Sequence, residues 1–307
     1  MANITANDGN YTRSAWPIHG LDVFLVSLNI FLSITASLSN ALILIALHKV
    51  TSIYPPTKLL FRCLAFTDLG VGLISQPLFV VLLPLITDLD INWDVMYHFY
   101  WASVVVLATV SILSSTAISV DRLLALMLRL RYRQVVSLSR VRALIICVWM
   151  LSCALAAGIA FGENKISYIT ENLLLVLIIL CTLTSIISYT KIYLRLRHHQ
   201  IQLQANQQQR GQPLPNRGEI PLNIARYKKT VSSIAWVQLA ILICYLPFPV
   251  SIMLQFHGAL NLGRASEIPL YFFFLNSSLN PILYCWKIID VRQAVKDTIK
   301  CHCCKSS

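Results

Sequence analysis

Seven apolar runs, each long enough to cross a lipid bilayer, constrain what this chain can fold into. A helix rises about 1.5 Å per residue and the hydrocarbon core is about 30 Å thick, so a crossing helix needs about 20 apolar residues. Membrane strands are shorter and alternate apolar with polar residues, so these runs predict helices. The runs cover approximately Leu21–Leu47, Thr57–Ile86, Val95–Leu126, Ala143–Phe161, Asn172–Leu194, Thr230–Phe256 and Ile268–Trp286.

The composition agrees with a bilayer as the solvent. Only 12% of the residues are charged, whereas a soluble globular protein carries about a quarter, and the mean hydropathy is +0.66. Soluble enzymes, disordered chains and collagen-like chains are excluded on these grounds. The predicted fold class is an all-α membrane protein, a seven-transmembrane helix bundle with a short amphipathic helix after the seventh helix.

Basic residues are unevenly distributed between the two sides of the membrane. Of the 25 Lys and Arg residues, only Arg13, Lys165 and Arg264 fall on the side of the N-terminus. Cytoplasmic loops carry the excess of Lys and Arg, so the chain is predicted to be multi-pass in the plasma membrane, with its N-terminus extracellular and its C-terminus cytoplasmic. The net charge of +12 is then an orientation signal, and a nucleic-acid partner is not predicted.

The regions outside the bundle are short. Residues 1–20 form a polar extracellular tail without a cleavable signal pattern, and the sequons at Asn3 and Asn10 predict glycosylation there. Residues 21–286 form the transmembrane domain. Within it, residues 198–225 are rich in Gln, Gly and Pro and predict a disordered inner loop.

Residues 287–307 are predicted to form an amphipathic helix and a cytoplasmic tail. Apolar and basic residues alternate there at helical spacing, which predicts a helix lying on the membrane lipids of the inner leaflet. Cys301, Cys303 and Cys304 end it beside basic residues, as palmitoylation sites do. Zinc binding by residues 301–304 is the alternative, but contiguous ligands strain tetrahedral geometry.

Polar residues fall at mid-membrane depth on four of the predicted helices. Buried polar groups in a bilayer are expensive, so each of them is a functional hypothesis. One interpretation is interhelical hydrogen bonding; the other is a pocket for water and an allosteric sodium ion, because a hard cation prefers oxygen ligands. Both interpretations stand together for the five residues Asn40, Asp68, Ser111, Asn276 and Asn280.

Two adjacent charges and two prolines mark the inner halves of the helices. Asp121 can restrain Arg122 in one rotamer at the inner interface, although a solvated interfacial pair is the alternative that the two adjacent charges by themselves favour. Pro247 and Pro281 each remove a helical hydrogen bond and predict a bend. Tyr189 and Tyr284 put hydroxyl groups near the inner ends of two helices.

The ordered set of these motifs resembles class A (rhodopsin-like) G-protein-coupled receptors, over nearly the whole chain after residue 20. The motifs touch all seven helices in the family's order: Asn40; Leu64-Ala65-Phe66-Thr67-Asp68; Asp121-Arg122-Leu123; Trp149; Tyr189; Cys244-Tyr245-Leu246-Pro247; and Asn280-Pro281-Ile282-Leu283-Tyr284.

The resemblance implies roles for these residues. Asp68, Ser111, Asn276 and Asn280 match the family's sodium-pocket positions. Arg122 matches the arginine that contacts a heterotrimeric G protein, and arrestin is a further implied partner. Residues that rearrange when a receptor of this family is activated lie at matching positions on the fifth, sixth and seventh helices: Tyr189, Tyr245, Pro247 and Tyr284. No covalent chemistry is implied, so the chain is not expected to be an enzyme and needs no cofactor beyond the possible sodium ion.

Departures from the family pattern narrow the subgroup. Tyr97 stands where a disulfide cysteine is usual, and Cys181 stands where the fifth helix usually has a proline. These departures resemble the melanocortin, lysophospholipid and cannabinoid receptors, and the chain as a whole resembles in style the cluster formed by these and the adenosine receptors. Val104 replaces the aspartate with which amine receptors pair their ligand, so an amine ligand is disfavoured. Phe274 replaces the retinal-binding lysine of opsins, so retinal is disfavoured as well.

The outer half of the bundle predicts the ligand site. An inward stripe of the third helix, with residues of similar depth on its neighbours, predicts an aromatic and mostly uncharged cavity for a small apolar or weakly polar ligand or peptide. Ordinary helix packing is the alternative for any single residue. The predicted lining is Gln76, Tyr97, Trp101, Val104, Ile252, Gln255, Leu270, Tyr271 and Phe274.

A different class of membrane protein remains as the alternative function. A seven-helix transporter or ion channel would use Asp68 as an ion or proton relay. That alternative predicts a continuous polar path and often an inverted repeat, and the sequence displays neither.

Overall fold

A computed structural model describes residues 20–82, 93–209, 268–287 and 289–305, together with residues 243, 244, 247 and 251. These residues are almost entirely helical. The described helices are the first (Gly20–Lys49), second (Pro55–Leu82), third (Trp93–Leu128), fourth (Leu138–Phe161), fifth (Asn164–Gln209) and seventh (Ile268–Lys287), and the amphipathic helix (Ile289–Lys305). The predicted sixth helix, Thr230–Phe256, lies largely outside the described residues.

The described helices have the lengths and surfaces of a membrane bundle. Five of them, all except the seventh and the amphipathic helix, are long and apolar enough to cross a membrane, and Ile268–Leu283 is a shorter apolar helix. Large apolar side chains point outward: Phe31 is 62% exposed and Met150 is 68% exposed. Asn40 and Asp68 are both fully buried, so polar groups lie inside and apolar groups outside.

The third helix occupies the centre of the described bundle. It packs against the second, fourth and fifth helices, while the first helix packs against the second, the seventh and the amphipathic helix. A core cluster that includes Val71, Val104, Cys181 and Phe274 joins residues from the second, third, fifth and seventh helices. The third helix therefore positions both the outer cavity and the inner polar residues.

A π-helical turn that the hydrophobic pattern does not predict interrupts the second helix. The helix is α-helical over Pro55–Gly70, π-helical over Val71–Ser75 and α-helical again over Gln76–Leu82. Gly72, inside the turn, lies against the first helix: a Cβ there would lie 2.9 Å from the backbone nitrogen of Ser37 and 3.0 Å from the carbonyl oxygen of Ser33. The residue has to be small because backbone meets backbone here.

The fourth and fifth helices are joined by only two residues, Gly162 and Glu163. A Cβ at Gly162 would collide with the carbonyl oxygen of Gly158, so this turn also requires glycine. The fifth helix begins at Asn164, earlier than the predicted Asn172, and the second outer connection is a tight turn.

The fifth helix also extends further inward than predicted. It continues through Gln209, so residues 198–209 are helical although the sequence predicts disorder over 198–225. Gln, Leu and Arg are good helix formers, and no breaker occurs before Gly211 and Pro213, which explains the extension. Residues 210–225 lie outside the described residues.

The amphipathic helix packs on the first helix and the first inner loop. Val291 is fully buried, whereas Arg292 and Lys296 are exposed. Lys49 Nζ donates a hydrogen bond to Thr298 Oγ1 at 2.9 Å, and the hydroxyl of Ser52 donates to the carboxylate of Asp290. The apolar face that the sequence predicts is thus held against the inner end of the bundle.

Candidate functional site

Asp68 lies at the centre of a buried polar layer that joins three helices. Its Oδ1 accepts hydrogen bonds from Ser111 Oγ at 3.1 Å and from Ser277 Oγ at 2.8 Å. Its Oδ2 accepts a hydrogen bond from Asn280 Nδ2 at 2.7 Å. One side chain of the second helix is therefore bonded to the third helix and, twice, to the seventh helix.

Asn40 extends this layer to the first helix. Its Nδ2 donates to the carbonyl oxygens of Ala36 and Ser277, each at 2.9 Å. Its Oδ1 is buried and has no hydrogen-bond partner among the described residues. The layer consequently spans the first, second, third and seventh helices at one depth.

The structure brings together four of the five residues that the sequence singles out for this layer, Asn40, Asp68, Ser111 and Asn280, and adds Ser277. Asn276 is buried on the seventh helix beside Ser277. Ser277 was not predicted, although it lies three residues before Asn280 and thus on the same helical face. Helical periodicity was the signal that could have identified it.

The chemistry of the layer suits a hard monovalent cation. A carboxylate, two hydroxyl groups and amide oxygens are oxygen ligands, and the buried Asn40 Oδ1 is an acceptor that lacks a donor. Within the described ranges, no group of three or more His, Cys, Asp and Glu side chains could hold a metal ion. Oxygen ligands of this kind are those that a hard cation prefers.

A second polar cluster lies at the inner end of the third helix. Asp121 is buried; its Oδ2 accepts from Thr57 Oγ1 at 2.9 Å and its Oδ1 accepts from Tyr132 Oη at 2.7 Å. Thr57 and Tyr132 are also bonded to each other, at 3.0 Å. Asp121 thus connects the second helix, the third helix and the inner loop after it, and neither partner was predicted.

Arg122, the next residue, points elsewhere. It is exposed, and its guanidinium carbon lies 5.4 Å from the centre of the Phe61 ring. This is cation–π distance, so the second helix holds the arginine through an aromatic face. Asp121 therefore does not restrain Arg122 as predicted: the two side chains contact different residues. The reason is that successive positions on a helix point about 100° apart.

The other predicted switch residues are only partly described. Tyr189 is buried on the fifth helix and hydrogen-bonded to Ser119. Pro281 lies inside the seventh helix and is buried, and Pro247 is helical. Tyr245 and the side chain of Tyr284 lie outside the described residues.

An apolar cavity occupies the outer half of the bundle. It includes three of the predicted residues, Trp101, Val104 and Leu270, and its wall is formed by Trp101, Val104, Val105, Ala108, Thr109, Ile112, Leu174, Ile178, Cys244, Leu270 and Phe273. The third, fifth, sixth and seventh helices all contribute to this wall. No residue of this wall carries a formal charge.

Four predicted lining residues lie elsewhere. Gln76 is fully buried against the first helix: its backbone oxygen accepts from Asn29 Nδ2 at 2.8 Å, and its Nε2 donates to Asn29 Oδ1 at 3.3 Å. The π-helical turn just before Gln76 changes the direction of the side chains that follow it, which the sequence pattern did not anticipate.

The other three predicted lining residues that miss the wall are aromatic: Tyr97, Tyr271 and Phe274. Tyr271 and Phe274 pack with Phe79 in a buried ring cluster, with centroids 5.7 and 6.3 Å from that of Phe79. Tyr97 is 54% exposed and contacts the Trp101 ring from outside. Ile252 and Gln255 lie outside the described residues.

The predicted modification sites remain predictions. Asn3 and Asn10 lie outside the described residues. Cys301, Cys303 and Cys304 fall in the last turns of the amphipathic helix, where the structure describes the backbone but not the side chains.

Comparison with known proteins identifies the family. The family described as 7 transmembrane receptor (rhodopsin family) matches residues 39–284. The chain is 23% identical to adenosine receptor A2b of Gallus gallus, over 92% of this chain and 89% of that receptor. It is 24% identical to adenosine receptor A3 of Ovis aries, over 97% and 95%, and 23% identical to adenosine receptor A2a of Homo sapiens, over 93% and 74%.

These matches confirm the predicted seven-helix bundle and the predicted receptor class, and they give no support to a transporter or channel. The family match covers the segment that carries the Asp68 layer, the Arg122 region and the outer cavity. The chain belongs to the rhodopsin family of seven-transmembrane receptors and is a multi-pass membrane protein that couples ligand binding to a G protein.

Proposed function

We propose that an agonist in the outer cavity favours outward movement of the inner half of the sixth helix, and that the Asp68 layer couples the two ends. The observation that carries this proposal is the set of three hydrogen bonds on the Asp68 carboxylate. The same third helix lines the cavity with Val104 and carries Ser111 and Asp121 further inward. A change in its position therefore alters both polar clusters.

The Asp68 layer is proposed to hold an allosteric sodium ion. Asp68, Ser111 and Asn40 would hold the ion, with Ser277, Asn276 and Asn280 beside them. A bound cation would neutralise the buried carboxylate in the inactive arrangement. The chain places oxygen atoms from four helices close together in this layer. Movement of any one of these helices would separate them and weaken the site.

The inner cavity is proposed to accept the C-terminal helix of a G-protein α-subunit, with Arg122 at its floor. Because the Arg122 guanidinium is exposed and held only over the Phe61 ring in the contacts described, it can turn toward a partner without breaking a buried ion pair. Tyr189, buried on the adjoining fifth helix, would meet it as the inner end opens. Arrestin is proposed to use the same opening.

The test of coupling is the substitution Arg122→Ala. Nucleotide exchange on a panel of heterotrimeric G proteins is measured in membranes, with and without adenosine and neutral apolar probes. We expect at least a tenfold loss of exchange, because the arginine is proposed to contact the G protein directly. The control is Arg140→Ala, which removes an exposed arginine bonded to the carbonyl oxygens of Gln134 and Val135. Unchanged exchange by Arg122→Ala at equal surface expression would contradict the proposal.

We further propose that the receptor resides in the plasma membrane with its N-terminus outside, glycosylated at Asn3 and Asn10, and that Cys301, Cys303 and Cys304 are palmitoylated. The uneven distribution of basic residues supports this orientation. An N-terminal epitope that is accessible only after permeabilisation would reverse it. Loss of the glycan-dependent mobility shift in an Asn3→Gln, Asn10→Gln double variant checks the sequons.

The ligand is proposed to be small and apolar or weakly polar, as the wall of the cavity is apolar and uncharged. Adenosine is a second candidate because the relatives compared above are adenosine receptors by name. A peptide is a third candidate, since the two-residue second outer connection leaves the outer end of the bundle without a long loop there.

A further inference from the structure

Arg122 carries a positive charge at the inner end of the third helix without a carboxylate to pair with. Both oxygens of the adjacent Asp121 are already bonded, to Thr57 at 2.9 Å and to Tyr132 at 2.7 Å. Among the described residues, Arg122 forms no ion pair. The Asp121 carboxylate is therefore not the group that holds this arginine in place.

The predicted inner side of the membrane offers few other acids. Besides Asp121 there are three: Glu219, Asp290 and Asp297. The last two lie on the amphipathic helix, where each accepts a hydrogen bond from a neutral side chain. Glu219 lies outside the described residues, eleven residues before the predicted sixth helix, and that helix, Thr230–Phe256, contains no acid. The sixth helix consequently has no carboxylate of its own to offer Arg122.

An aromatic ring on the second helix faces the Arg122 guanidinium instead. The guanidinium carbon lies 5.4 Å from the centre of the Phe61 ring. Phe61 is 3% exposed and packs in a core cluster with Ile43 and Leu64, so its ring is held by its neighbours. Arg122 is exposed. The contact thus joins a fixed ring to a cation that is free to move, and the negative face of the ring attracts that cation.

We infer that Phe61 is a positioning residue that restrains Arg122 in the inactive arrangement, the task that a carboxylate would otherwise perform. The inference rests on the proposed function, because Arg122 has to leave the ring in order to contact the G protein. A cation–π contact at an exposed site shifts a two-state equilibrium only about two- to fivefold. The exchange activity of the receptor without agonist therefore depends on the electron density of one ring.

The test is a series of full-length receptors in which Phe61 carries one, two or three ring fluorine atoms. Fluorine withdraws electron density from the face of the ring and changes its size little, so the attraction weakens stepwise. Nucleotide exchange on a panel of heterotrimeric G proteins is measured without agonist, at equal amounts of receptor in lipid nanodiscs. We expect basal exchange to rise with each fluorine, to about two- to fivefold with three.

The matched control is the same fluorine series at Phe31. This ring lies on the first helix and is 62% exposed, on the outward-facing surface of the bundle. Fluorination there should leave basal exchange unchanged, because no cation is placed over the ring. Phe61→Leu is a simpler companion variant, which removes the ring, keeps an apolar side chain and should also raise basal exchange.

The fluorine atom also reports the contact directly, without a G protein. In the receptor with one fluorine on Phe61, Arg122→Ala removes the charge from the face of the ring and should shift the fluorine magnetic resonance. Arg140→Ala removes an exposed arginine of the fourth helix and should leave the resonance in place. A merely structural role of Phe61 would make the resonance insensitive to the charge on Arg122.

The outcomes separate the restraint from the coupling. Basal exchange that stays flat or falls across the Phe61 series, an equal rise in the Phe31 series, or a resonance that Arg122→Ala does not move overturns the inference. If exchange is still lost in Arg122→Ala, the proposed coupling stands in each of these cases. Absence of exchange on every G protein, in the wild type and in all variants, refutes the coupling and the restraint together.

Discussion

Replacing Ser277 by alanine tests whether the Asp68 layer holds the bundle together. The Ser277 hydroxyl donates to Asp68 Oδ1 at 2.8 Å, and it is fully buried, so water cannot replace it. Removing a hydrogen bond to a charged group costs about 1.5–3 kcal/mol, against about 0.5–1.5 kcal/mol for a neutral one. The neighbouring Ser278 provides the neutral comparison, because both partners of its hydroxyl are uncharged: the carbonyl oxygen of Leu32 and the hydroxyl of Thr35, each at 3.2 Å.

Both substitutions remove the same atom from adjacent positions of one helix, so helix propensity cancels. An unfolding entropy of about 2.1 cal/mol/K per residue corresponds to about 1.5 °C per kcal/mol for a chain of this length. Thermal unfolding of the purified receptor should therefore show a Tm lower by about 2–5 °C for Ser277→Ala and by about 1–2 °C for Ser278→Ala. Equal shifts, or a larger shift for Ser278→Ala, would refute the view that the Asp68 carboxylate dominates this contact.

Three further substitutions test other contacts. In the wild type, sodium at 100 times its Kd should stabilise the folded receptor by about 2.7 kcal/mol, so the Tm should be higher in sodium chloride than in choline chloride. Asp68→Asn should abolish this difference in Tm. A difference that persists in the variant would place the ion elsewhere. Tyr132→Phe removes one of two donors to Asp121, at a half-buried site, and should lower the free energy of unfolding by about 1 kcal/mol in denaturant titrations. Gly72→Ala should reduce stability by more than Gly70→Ala, since its Cβ meets backbone atoms whereas that of Gly70 meets only the flexible side chain of Leu107. A thermal shift larger for Gly70→Ala would contradict this.

The bundle itself was predictable because hydrocarbon thickness sets helix length. The third helix was predicted at Val95–Leu126 and extends over Trp93–Leu128, and the first was predicted at Leu21–Leu47 and extends over Gly20–Lys49. The inner end of the fifth helix was missed because it lies beyond the bilayer. There, hydropathy carries no information and local helix propensity decides.

The centre of the candidate site was predictable because an isolated polar residue in an apolar run has few acceptable positions. Asp68, Ser111, Asn280 and Asn40 were each identified in this way, and the structure bonds the first three together. Tyr132 could not be found by the same argument, because it lies in a polar loop where a tyrosine is unremarkable. Its role follows from how the chain folds back onto Asp121.

Gln76 was misplaced for a physical reason that also explains the polar face of the first helix. Ser33 Oγ donates to the carbonyl oxygen of Gly72 at 2.7 Å, and Asn29 Nδ2 donates to the carbonyl oxygen of Gln76 at 2.8 Å. Donors four residues apart on one helix thus meet acceptors four residues apart on the next, at the π-helical turn and just after it. Because lipid is as apolar as leucine, apolar packing alone does not fix the register of two membrane helices. A slip of one residue would turn both donors about 100° away and would also remove Asn40 from Ser277, so these hydrogen bonds set the depth at which the first helix meets the Asp68 layer.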